Sequence, residues 1–154
     1  MEYVQHIPKT DLARKTRQVL LAVQRGQTTI VENHGQPEAA IIDIVDYRIL
    51  RAVLRYLANP LEFDSEAGLP DSALDNLDDP QACFDLVLTH YLAKAISLGR
   101  VAELLDLAWA DLRFRFNRLD VPIFVGPENI EELKQELETL KKWESEYAQS
   151  GSTG

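Results

Sequence analysis

The chain has 154 residues, room for one ordinary domain or two very small ones, and its 45% hydrophobic and 27% charged content is that of folded protein rather than disordered chain. No apolar run reaches the roughly 18 residues needed to span a bilayer, and the opening MEYVQHIPKTDL lacks the basic-then-apolar order of a secretory signal, so a cytoplasmic location without membrane contact is expected. A net charge of −9 argues at first against a nucleic-acid partner.

The first block, residues 1–58, reads as strand, helix, hairpin, helix. Met1 to Ile7 alternates loosely and is closed by Pro8. Leu12, Thr16, Val19, Leu20 and Val23 then fall at helical spacing, and Gly26 is the signal that ends the helix. Thr28 to Glu32 is β-branched, Asn33-His34-Gly35 supplies a turn, and Ala39 to Val45 is a second apolar strand, which together predict a hairpin. Asp46 is the expected N-cap of a helix carrying Tyr47, Leu50, Leu54 and Leu57 on one stripe. So small a block cannot cover that stripe within one chain, so these four residues are the expected dimerisation surface.

Residues 59–82 hold seven acids and no base, with three prolines, and are expected to form a flexible acidic linker. Asp79-Pro80 resembles an N-cap followed by proline at the first helical position, opening a helix with Phe84, Leu88, Tyr91 and Leu92 on one face. In the second block, residues 83–127, Ser97 caps a short helix with Val101 and Leu104 inward, Asp106-Leu107-Ala108 turns the chain, and Trp109 to Leu119 points Leu112, Phe116 and Leu119 inward. Two short helices joined by a tight turn behind a supporting helix predict a helix-turn-helix. On the outer side of its second helix the expected DNA-facing residues are Trp109, Ala110, Arg113, Asn117 and Arg118, because Arg and Asn read guanine and adenine edges by bidentate hydrogen bonds. Val121 to Val125 is an expected short strand, residues 128–147 an amphipathic helix with Ile130, Leu133, Leu137 and Leu140 as its seam, and 148–154 a flexible tail. The predicted fold class is therefore α+β, with two modules.

Charge follows the same division. Residues 1–58 carry eight Lys/Arg against six Asp/Glu, 83–127 carry five of each, and the excess acid lies in 59–82 and 128–154. Two near-neutral or mildly basic blocks remain where DNA can dock. The one cysteine, Cys83, and the three histidines have no zinc spacing, Ser97 has no adjacent base, and no Gly-rich nucleotide loop occurs. No catalytic site, metal or cofactor is expected.

Residues 1–58, above all LARKTRQVLLAVQRG followed by TTIVENHGQPEAAIIDIVDYRIL, resemble the Phd/YefM antitoxin family. Residues 84–127, with AISLGRVAELLDL and DVPIFVGPE, are similar to small prokaryotic helix-turn-helix proteins, some of them suspected antitoxins. Asp106 and Trp109 depart from the latter pattern, in which a small residue usually makes the turn. The first resemblance implies a homodimer that sets the start of its first helix on operator DNA through Lys9, Thr10, Arg14, Lys15 and Arg17, represses its own operon, and neutralises a cognate toxin through the chain beyond. Helix starts and basic side chains suit phosphate. A type II antitoxin and autorepressor is the expected function; a toxin-free transcription factor and a protein-binding adaptor with a degenerate helix-turn-helix are the alternatives.

Overall fold

The computed structural model describes residues 4–59 and 68–124, and residues 135–146 apart from 136, 140 and 143. It is a mixed α+β protein whose chain divides into two compact units, one made of residues 1–61 and 77–89, the other of 62–76 and 90–154. The division differs from the expected boundaries: the first part of the helix after the acidic segment belongs with the N-terminal block.

In the first unit the order is β1 (Val4–Pro8), α1 (Lys9–Arg14), α2 (Thr16–Gln24), β2 (Thr28–Asn33), β3 (Gln36–Ile41) and α3 (Ile44–Ala58). The sheet runs β1-β2-β3, with β1 parallel and β3 antiparallel to β2. Alternation along paired strands puts Ile7 and Val31 on one face, where they form a core with Val19 and Val23 of α2, flanked by Leu12 and Ile41. Thr29 on that face is fully buried, and its hydroxyl accepts a hydrogen bond from Gln5 Nε2 at 2.7 Å. The two-residue hairpin turn has His34 at φ 52° and Gly35 at φ 76°, the paired positive angles that match the twist of the strands. Pro37 is tolerated because β3 is an edge strand.

The first unit departs from four local expectations. The helix over Leu12–Val23 is two helices, broken at Lys15 (φ −115°, ψ 24°); the Thr16 hydroxyl donates to Leu12 O at 2.7 Å, a backbone-directed bond that bends helices. Leu20 is 47% exposed rather than inward, since only the narrow Val19–Val23 seam meets the sheet. The segment Ala39–Val45 is strand only to Ile41. Asp43, not Asp46, caps α3, accepting from Val45 N at 3.2 Å, while Asp46 lies buried in the first turn, where a carboxylate also suits the helix dipole. The stop at Gly26 is as read: Gly26 N bonds Val23 O and Gln27 N bonds Ala22 O, the Schellman pattern, with Gly26 at φ 104°.

Helix α4 (Pro80–Leu92) opens as expected, with Asp79 Oδ1 accepting from Gln81 N. Its early residues belong to the first unit, where Phe84, Val87 and Leu88 are buried, as are Ile49 and Ala52 of α3. Arg55 Nη1 donates to Asp85 Oδ2 at 2.9 Å, and Gln81 Nε2 donates to Arg48 O at 3.0 Å, which ties α4 to α3.

The second unit holds a 3-10 helix (Asp71–Leu74), α5 (Leu98–Leu104) and α6 (Trp109–Arg118). The expected linker is partly built into it: Leu69 is buried, and Arg100 donates to Leu69 O at 2.8 Å and pairs with Asp71 at 2.7 Å. The hydrogen bond to Asp71 also raises the Arg100 pKa. Ser97 caps α5 through Arg100 N, as expected. The expected strand at 121–125 does not form over its described part, 121–124. Tyr91, fully buried, takes its polar groups instead: its hydroxyl donates to Pro122 O at 2.8 Å and accepts from Phe124 N at 3.1 Å, while its ring lies 5.4 Å from Phe116 and 5.3 Å from Phe124.

Tyr91→Phe removes both bonds and is expected to destabilise this unit by about 1–3 kcal/mol in urea unfolding. Burial raises the Tyr91 pKa, and the Phe124 N–H opposes that shift. A raised folded value means the contribution is complete below the ordinary 10.0 and is lost as pH rises through the folded value. The variant should lack that alkaline loss.

Helices α4, α5 and α6 all end in Schellman bonds around a left-handed residue that is not glycine: Lys94 (φ 64°), Asp106 (φ 53°) and Asp120 (φ 56°). Such angles disfavour a Cβ, so Asp106→Gly is expected to stabilise the unit by up to about 1 kcal/mol, less the entropy glycine adds to the unfolded chain. Urea midpoints of the two proteins check this. Residues 137–139, 141–142 and 144–146 are helical, as is 135, and of the expected seam Leu137 is exposed; the remaining expectations for 128–147, the tail 148–154 and residues 60–67 lie outside the described residues. Among the described residues no helix is long and apolar enough to cross a membrane.

Candidate nucleic-acid interface

The break at Lys15 moves the basic residues of the first unit. Arg14 ends α1 and Lys15 is both the junction and the N-cap of α2, so they sit at the start of the second helix instead of the first. Thr10, Arg14, Lys15 and Arg17 are all exposed. Lys9 is exposed too, but its Nζ lies 3.3 Å from Glu38 Oε2 on the hairpin. Asn33, which donates to Glu38 Oε1 at 3.0 Å, and then Lys9 hold the Glu38 carboxyl below its ordinary pKa. Lys9 is therefore partly neutralised, and Arg14, Lys15 and Arg17 carry the available charge. Beneath them a pocket of about 280 Å³ is lined by Gln5, His6, Asp11, Lys15 and Gln18. Asp11 offsets Lys15 there, so the pocket is no anion cradle, whereas the outer side of the junction is open to phosphate.

On α3 the expected stripe is outward: Tyr47 is 47%, Leu54 61% and Leu57 67% exposed, and Leu50 is half-buried. Ile44, at 55%, extends it. Ile49 and Ala52 form a separate, fully buried face, so α3 is apolar on two sides.

In the second unit α5 and α6 are two short helices joined by a turn through Asp106, with Leu98, Val101, Ala102, Leu112 and Phe116 inside. The outer face differs from the expected one. Trp109 is half-buried, its indole Nε1 is enclosed without an acceptor, and the Arg113 guanidinium lies 5.4 Å over its ring. Arg115 Nε donates to Asp111 Oδ2 at 2.9 Å and is mostly buried. Asn117 is exposed, as expected, and Arg118 is half-buried with its guanidinium 5.3 Å over Phe114. Phe114, 45% exposed, is not among the residues expected from the sequence. Helical spacing carries its signal: with Leu112 and Phe116 inward, the residue between them is half a turn away. Among the described residues no group of three or more His, Cys, Asp or Glu is placed to hold a metal ion.

Comparisons with protein-family models, with curated proteins and with solved structures return no match for this chain.

Proposed function

We propose that this protein is a homodimeric, DNA-binding transcriptional autorepressor of the antitoxin type, which also neutralises a cognate toxin protein. The observation that carries the DNA part is the α5-turn-α6 unit: two short helices reversed through a left-handed Asp106, a closed apolar inner side, and an outer side bearing Asn117 with Arg113 and Arg118 on its flanks, each guanidinium over an aromatic ring. A guanidinium over an aromatic ring keeps its charge and its planar N–H fork for base or phosphate contact. Exposed Arg14, Lys15 and Arg17 in the first unit, whose residues 1–58 carry eight Lys/Arg against six Asp/Glu, support a second contact by counterion release. The outward stripe of α3 supports pairing of two copies, which doubles both contacts.

The toxin part rests on the Phd/YefM resemblance of residues 1–58 and on the acidic segments. Asp71 is engaged by Arg100 and Asp79 accepts from Gln81 N at the start of α4, so within 68–82 the exposed Asp75 and Asp78 are the carboxylates left to meet a basic partner, together with the acidic 128–147 segment. Co-expression with the product of the adjacent gene tests it. Restored growth and co-purification support the antitoxin reading; an innocuous neighbour that does not co-purify leaves a regulator without a toxin.

A further inference from the structure

We propose that Phe114 determines sequence specificity by packing against the 5-methyl group of thymine in the major groove, and that together with Asn117 it selects A·T-containing sites. The proposal rests on the DNA-binding reading above. Leu112 and Phe116 are fully buried and fix the inner side of α6. At about 100° per residue, Phe114 lies opposite their midpoint and so marks the centre of the outer side. Ala110 and Asn117, one turn before and after it, are exposed on the same side. A large aromatic ring 45% exposed at the centre of this side offers an apolar surface from which a contact would displace water. On the base edges of the major groove the thymine methyl is the apolar group available. Arg118, stacked 5.3 Å over the ring, sets a positive charge beside that contact, where phosphates pass.

The same geometry moves the guanine-reading expectation away from Arg113, whose guanidinium lies over Trp109 on the flank nearer the core. Asn117, one turn beyond Phe114, pairs by its amide with adenine N6 and N7. Methyl and amide contacts on neighbouring positions of one face describe an A·T step.

The test selects binding duplexes from a random-sequence pool with the 154-residue chain, then compares the recovered duplex with one in which deoxyuridine replaces every thymidine. Deoxyuridine keeps base pairing and lacks the methyl. For the parent protein affinity should fall about four-fold per methyl contacted, or about fifteen-fold for two copies. Phe114→Gln should bind both duplexes equally, and Phe114→Leu should keep part of the preference; thermal melting of both variants verifies that they fold. Equal binding of the two duplexes by the parent overturns the methyl contact and leaves DNA binding standing. A preference that survives in Phe114→Gln overturns the role of Phe114. Recovery of no duplex overturns the DNA reading as well, and gives the outer side of α6 to a protein partner.

Discussion

A Leu54→Asp/Leu57→Asp variant should sediment at half the mass of the parent at micromolar concentration. In one chain these side chains are 61% and 67% exposed, so the substitution costs the isolated fold little. In a symmetric pair, burial of the part still exposed recovers roughly 1–2 kcal/mol per leucine, so four of them contribute on the order of 4–8 kcal/mol before the cost of association. Four carboxylates in their place reverse the sign, because a buried charge without a partner is far costlier than an exposed leucine. Dissociation should be complete, and the melting temperature should cease to depend on protein concentration. Sedimentation equilibrium and circular dichroism measure both. A parent that already sediments as a single chain would assign the α3 stripe to another partner.

The second large effect is expected on DNA. Arg14→Ala/Lys15→Ala removes up to four phosphate contacts from a dimer, so the slope of log K against log salt should flatten by about 3.6. Affinity near 0.1 M salt should fall by about three orders of magnitude, across all sequences alike. Asn117→Ala should behave differently, relaxing sequence choice by roughly 1–3 kcal/mol as its bidentate bond to the base is removed, with the slope unchanged. Fluorescence anisotropy over a salt series separates the two. If the Arg14/Lys15 variant keeps its affinity and slope, the first unit serves to dimerise and DNA contact belongs elsewhere.

What the sequence makes legible here is governed by how local the physics is. Gly26, Asp79-Pro80 and Ser97 act on backbone groups within a few residues, and each ends or begins a helix where its type predicts. The α3 stripe is legible because its spacing and the small size of the block both bear on it. The break at Lys15 is less so, since a threonine hydroxyl bonding back to Leu12 O competes with an otherwise unbroken helical pattern. Asp43 and Asp46 are three residues apart and chemically alike, so only the start of α3 at Ile44 distinguishes the cap. The acidic segment looks unstructured because its anchor, Arg100, lies far along the chain from Leu69 and Asp71. Residues 121–124 have strand composition, but the partner for their backbone is a tyrosine hydroxyl and not another strand. In the candidate interface, Asn117 follows from helical spacing, whereas the partial burial of Trp109 depends on packing around the start of α6.

The central claim, that this chain is a sequence-specific DNA-binding protein, is tested most directly by titrating it into a fluorescent duplex of the DNA immediately upstream of its own reading frame, beside a scrambled duplex of equal length, near 0.15 M salt. A dissociation constant on the order of 10⁻⁸ M for the upstream duplex, with the scrambled one weaker by about 10³-fold or more, is the predicted result. Equal binding of both duplexes in the roughly 10⁻⁴–10⁻⁶ M range of nonspecific contact, or no binding to either, would contradict it.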